Sequence, residues 1–246
     1  MTFTIYPAVD IQHGLAVQLV RGQAGSGHSF GSPLQAAIRW RDEGAEWLHL
    51  VDLDAAFGRG TNAEQIGQIV ATTGLKVDLA GGIRDDAGLA AALATGCHRL
   101  TIGTAAVTRP DWTAEVLQTY GDRIAVALDV RDGQVATHGW VEVAGSADRL
   151  VDDLTQAGCR RLVVTDTRAD GTLAGLDVGL FRRIARRTTA AVVASGGVAG
   201  LDDIRGLIGL VDDGVDGVII GSALYLGQIR LGDALELARA VAQRPG

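Results

Sequence analysis

Lysine is almost missing from this chain: Lys76 is the only one, and the other basic residues are arginines. Lys76 precedes a short apolar run at 77–80, which puts it at the entry of a strand and away from the strand exit where a Schiff-base lysine acts. Covalent lysine chemistry is therefore excluded on this reading. Cysteine is nearly as scarce, with two residues. Cys97 and Cys159 each follow a helix-ending glycine and precede a strand, with no CxxC spacing, so they read as small packing residues and not as a disulfide or metal pair. No H-x-H, H-x-x-E-H or clustered carboxylate pattern occurs, so no metal is expected. No apolar run approaches the ~18 residues of a membrane helix. No basic tract breaks a net charge of -7, which argues against nucleic acid as a partner. The first residues, MTFTIYPAVD, enter a strand without a basic segment or signal-peptide core, so a cytoplasmic protein is expected.

What is abundant is apolar residues (47%) and glycine (34 residues), against only 4 prolines. That composition is far too apolar for disorder and suits a packed α/β protein. Strand candidates fall at 3–9, 46–52, 77–80, 98–103, 123–129, 161–166, 191–195 and 217–221, each rich in Val, Ile, Leu or Ala. Amphipathic segments such as Pro33–Asp42, Ala63–Thr72, Asp85–Ala94 and Ala147–Ala157 run between them. Eight strand–helix alternations in 246 residues predict a closed (βα)8 TIM barrel, which typically needs about 250 residues.

An internal repeat strengthens that reading. AVDIQHG at 8–14 matches ALDVRDG at 127–133, and GAEWLHLVDLDAA at 44–56 matches GCRRLVVTDTRAD at 158–170. AGGI at 80–83 matches SGGV at 195–198, and IGTA at 102–105 matches IGSA at 220–223. Four matches in order, all at offsets of 114–119 residues, imply two four-strand half-barrels, about 1–120 and 121–246, with no linker between them in one domain.

The repeat marks the chemistry. Gly81 and Gly82 with Gly103 and Thr104, and Gly196 and Gly197 with Gly221 and Ser222, close strands at the end of a barrel that carries active sites. Glycine there lets backbone N–H groups approach an anion, so each half offers a phosphate cradle and the pair predicts a phosphorylated small molecule. Asp10 and Asp129 end repeat-related strands. Asp170 lies in TDTRADGT, four residues past Asp166, and is expected to face Asp10 across the mouth, an arrangement suited to an acid and a base acting on one sugar. Thr165 is placed to hold a sugar hydroxyl. Asp54, Asp85 and Asp177 read as helix caps or turn formers, and His49 and His98 as structural. The Gly/Ser-rich segment 21–33 reads as a loop able to close over substrate.

AVDIQHG, HLVDLDAAFGRG, GGIRDD, HGW, VVTDTRADGTLAG, ASGGV and IIGSALY together resemble the ProFAR isomerase family of histidine biosynthesis over essentially the whole chain. Within it they resemble the actinobacterial branch that also acts as phosphoribosylanthranilate isomerase. The resemblance implies a cofactor-free Amadori rearrangement serving histidine or tryptophan biosynthesis, with Asp170 as general acid at the ribose ring oxygen and Asp10 as general base at C2. It also implies that Asp129, Thr165 and Trp140 line the substrate pocket, with Trp140 stacking on the aglycone. Three positions depart from the pattern. Gln18 stands where the family has a substrate-contacting Arg, Ala80 where the dual-substrate branch has Ser, and His138 where it has Arg. From these losses, phosphoribosylanthranilate is expected to be better retained than ProFAR, in a monomer. Two alternatives stand: a cyclase-type subunit of imidazole glycerol phosphate synthase, and a non-catalytic phospholigand-binding barrel. The first is expected to carry a lysine in the loop after the first strand, which is missing here. The second gives no reason for keeping both Asp10 and Asp170.

Overall fold

The computed structural model describes residues 2–18, 28–137 and 142–242. At its centre are eight strands: β1 (Thr4–Gln12), β2 (Trp47–Asp52), β3 (Lys76–Ala80), β4 (Arg99–Ile102), β5 (Ile124–Arg131), β6 (Arg161–Asp166), β7 (Ala191–Ser195) and β8 (Val215–Ile220). Each is parallel to the next, and β8 pairs with β1, so the sheet closes on itself with no free edge. This is the (βα)8 barrel the alternation predicts.

One main helix follows each strand: α1 (Pro33–Asp42), α2 (Ala63–Thr73), α3 (Asp86–Ala94), α4 (Pro110–Tyr120), α5 (Ala147–Gln156), α6 (Val178–Ala185), α7 (Leu201–Ile208) and α8 (Leu231–Ala242). Their starts follow local rules. Ser32 caps α1 by accepting from the Gln35 amide, with Pro33 in the first turn. Asp85 accepts from Gly88 N at 2.8 Å, and Asp177 from Gly179 N and Leu180 N at 3.0 and 3.2 Å. Asp85 and Asp177 are thus caps, as expected. Asp54 instead takes the His13 amide at 2.7 Å and Asn62 Nδ2 at 3.0 Å, tying the β2 exit to the turn after β1.

A strand covered on both faces turns alternate residues to helices and to the barrel interior. Val9, Ile11, Leu48, Leu50, Leu100, Ile102, Leu128 and Leu162 belong to the large outer core that the helices cover. Tyr6, Ala8, Ala125, Val163, Val193 and Ile219 form a separate, smaller cluster inside the ring. The strand-entry end is plugged by Trp47, whose ring lies 5.5 Å from Tyr6, with the Arg99 guanidinium at 4.5 Å and the Lys76 ammonium at 5.7 Å over it. Arg161 grips Asp216 there through two 2.7 Å hydrogen bonds. The single lysine therefore serves the closed end of the barrel, opposite the mouth.

The repeat is visible in detail. β1 turns through His13 (φ 51°) and Gly14 (φ 74°), and β5 turns through Asp132 (φ 51°) and Gly133 (φ 77°), each into an antiparallel partner strand. Each turn is clamped to the loop after the neighbouring strand, by Asp54 in the first half and by Arg168 on Asp132 at 3.0 Å in the second. The clamp has the same place but opposite charge in the two halves. Among the described residues, no helix is long and apolar enough to cross a membrane.

Candidate active site

The strand exits open on a cavity of about 560 Å³. Asp10, Gln18, Asp129, Thr165 and Asp170 all line it, as do Gly81, Gly82, Gly103, Thr104, Gly196, Gly197, Gly221 and Ser222. His138, Trp140 and most of the loop-closure segment 21–33 lie outside the described residues. Period-2 geometry explains the gathering: Asp129 continues the inward face of Ala125 and Ala127, and Thr165 that of Val163. Asp129 and Thr165 are direct register partners across β5 and β6. Asp170 reaches the mouth because the chain folds back just after β6, where Ala169 N and Asp170 N donate to the Asp166 carbonyl at 3.2 and 3.0 Å.

The twin glycine pairs serve the packing as well as the cavity. Gly81 and Gly82 have φ of 106° and 75°, Gly196 and Gly197 of 86° and 84°. A Cβ on Gly82 would meet Ala55 Cβ at 2.5 Å, and one on Gly197 would meet Ala169 Cβ at the same 2.5 Å. Ala55 and Ala169 are repeat partners, so the same collision is avoided twice. Glycine is required here because the preceding βα loop lies directly against the backbone. The turn that this enforces also presents that backbone to the cavity.

The two cradles differ in charge. Beside Gly82 the cavity includes Arg84, whose guanidinium is held by the carbonyls of Ala55 and Ala56. In the second half the equivalent position is Ala199. There the neutral Gln18 side chain lies against the cradle, its Nε2 2.5 Å from the place a Gly221 Cβ would take. Gln18 Oε1 is buried with no hydrogen-bond partner among the described residues.

Sequence reasoning missed Arg84 and Asp78 and read His49 only as structural. Arg84 was hidden in a motif valued for its glycines. His49, expected to be structural, is buried but lines the cavity, with Nδ1 3.1 Å from Asp78 Oδ2. Asp78 also accepts from Thr101 Oγ1 at 2.8 Å. The signal that could have found His49 was its spacing from Val51, two residues on and on the same inward face.

The carboxyls are tuned apart. Burial pushes Asp10 up to about 6, against the opposing charge of His49. Burial, reinforced by the negative charges of Asp10 and Asp129, pushes Asp170 up to about 7. Near neutral pH Asp10 is mostly ionised while Asp170 holds its proton much of the time. One cavity thus presents a base and an acid between two glycine-walled ends, the combination that proton shuttling in a doubly anionic ligand needs.

Residues 4–230 match the family model described as "Histidine biosynthesis protein". A relative from Thermobifida fusca is 53% identical over 239 residues, 97% of this chain and 98% of its own length; it is named 1-(5-phosphoribosyl)-5-((5-phosphoribosylamino)methylideneamino) imidazole-4-carboxamide isomerase. A relative of the same name from Saccharopolyspora erythraea is 51% identical over 243 residues, 97% of this chain and 100% of its own. "Phosphoribosyl isomerase A" of Streptomyces griseus is 51% identical over 236 residues, 96% of this chain and 98% of its own.

Proposed function

The chain belongs to the histidine biosynthesis protein family and is an isomerase, and on that premise we propose that it converts the bis-phosphorylated imidazole carboxamide (ProFAR) from aldose to ketose. The observation that carries this reading is the pair Asp10 and Asp170, two carboxyls of different proton affinity in one cavity between two glycine cradles. The substrate in the relatives' name has two phosphoribosyl groups, one phosphate for each cradle, and Arg84 supplies positive charge at the first of them.

In the proposed sequence, Asp170 gives its proton to the ribose ring oxygen. The C1–O bond breaks as the C1 nitrogen lone pair forms the imine. Asp10 then takes the proton from C2, whose electron pair moves toward C1 to give an enolamine. Tautomerisation places the carbonyl at C2 and the new hydrogen at C1, leaving the 1-amino-1-deoxyketose. Asp129 and Thr165, side by side on β5 and β6, are positioned to hold ribose hydroxyls. No metal or cofactor enters the sequence.

A second reading adds phosphoribosylanthranilate as a substrate, favoured over ProFAR, within tryptophan biosynthesis. Its support is the neutral Gln18 against the second cradle together with Ala80, which leave a weaker polar grip than charged or hydroxylated side chains. Measuring kcat/KM for each compound with purified protein tests both readings. Turnover of ProFAR at the higher kcat/KM supports the first reading, and a preference for phosphoribosylanthranilate supports the second. Failure to turn over either would return the chain to the class of binding barrels.

A further inference from the structure

His49 and Asp78 are direct register partners on β2 and β3, and both are buried, at 7% and 2% exposure. Their contact is more specific than packing requires. Asp78 Oδ2 faces His49 Nδ1 at 3.1 Å, and Asp78 Oδ1 is engaged by Thr101 at 2.8 Å. Both carboxylate oxygens are thereby committed, which fixes the plane of the carboxyl and the ring it faces. A carboxylate can only accept, so the proton of this contact must sit on Nδ1, and Nε2 is left for the cavity that His49 lines. On β1, one strand away, Ala8 is His49's register partner and Asp10 stands two residues further along the same face. The arrangement of acid, imidazole and cavity is that of a base held by a third group, on residues for which the proposed proton transfers have no other use.

We propose that Asp78 is a positioning residue for the reaction, holding His49 with its proton on Nδ1 so that the ring supports the Asp10 carboxylate from the cavity wall. The proposal rests on the isomerase reading above. The charged groups around the ring are few. Asp10 faces it from β1 and Asp78 from β3, Arg99 on β4 acts on Asp78, and Asp129 and Asp170 line the same cavity. Burial alone would raise the Asp78 carboxyl, but the hydrogen bonds of His49 and Thr101 and the charge of Arg99 hold it below the usual carboxylate range. Asp78 thus remains a carboxylate across the working pH range. It holds the His49 ring in place on the cavity wall, where His49 opposes the effect of burial on Asp10.

The test is the pH dependence of kcat/KM for Asp78→Asn, with Asp78→Glu as the conservative control. Loss of the carboxylate frees the His49 ring from its anchor, and without the ring held beside it the Asp10 base becomes harder to ionise. The acid limb of the profile is expected to move up by about half a pH unit, a further loss of about threefold at pH 5.5 beyond any loss at pH 8, and Glu is expected to restore it. An acid limb that stays in place while activity or melting temperature falls uniformly would make Asp78 merely structural and overturn the proposal. If Asp78→Asn does not fold, His49→Gln must show the same upward shift, and an unmoved limb there overturns it too. The 15N shifts of His49 in the resting wild-type protein must show Nδ1 protonated. This readout needs no turnover, so it separates failure of the positioning role from failure of the isomerase reading.

Discussion

Replacing Asp10 by Asn is expected to destroy turnover and yet make the unliganded protein more stable above neutral pH. Burial pushes the Asp10 carboxyl from 3.8 to about 6. The folded state therefore binds the proton more tightly than the unfolded chain does. Because the native protein holds more protons between about pH 4 and pH 6, stability falls as pH rises through that window. Above it the whole cost of keeping Asp10 ionised is in force. A shift of about two units corresponds to about 3 kcal/mol. That figure is a ceiling, because Asp10 lies on an open cavity wall where water screens it. After screening, a gain of about 1–2 kcal/mol remains for Asn, which carries no charge. The assay is urea unfolding of wild type and Asp10→Asn at pH 8 and pH 4. The variant is expected to be the more stable at pH 8, with the difference largely gone at pH 4, while kcat falls at least ~100-fold. A variant that is less stable at pH 8, or equally more stable at both, would refute the argument that the mouth stores the cost of an ionised base.

Asp170→Asn is expected to lower kcat at least ~100-fold with little change in KM, since it removes a proton donor and not a binding group; near-normal kcat would remove Asp170 from the chemistry. The wild-type kcat/KM profile is expected to be a bell with limbs near pH 6 and 7, set by ionised Asp10 and protonated Asp170. A flat profile across that range counts against the assignment. Gly197→Ala is expected to cost at least about 2 kcal/mol by chemical denaturation, because its Cβ would lie 2.5 Å from Ala169 Cβ at φ 84°; a neutral result would mean the loop after β6 yields freely. Gln18→Arg is expected to raise kcat/KM for ProFAR about tenfold or more by adding a charge-assisted contact at the second cradle, and no gain would show that Gln18 does not limit that substrate.

The barrel and the approximate places of its eight strands were legible in the chain because they rest on local rules, although the first strand runs on to Gln12 and the last begins at Val215. A strand covered on both sides reads as a short apolar run, and the helices start at Ser32, Asp85 and Asp177, whose side chains cap within three residues. The repeat was legible because evenly spaced motifs preserve register, and the cradle glycines followed from it. What the chain could not show was which partners meet across strands. His49 looked structural because its environment depends on Asp78, 29 residues away, and the two meet only through the β2–β3 register. The different proton affinities of Asp10 and Asp170 are likewise products of the assembled mouth, where burial and neighbouring carboxylates act together. The glycine pairs carry both lessons. Their spacing marked two glycine-walled ends of the mouth in advance, but only the packed loops reveal that a single methyl group at Gly82 or Gly197 would strike Ala55 or Ala169. A residue's own identity and period are local quantities and are written in the chain, whereas desolvation, register contacts and steric clearance exist only once distant segments share the same space.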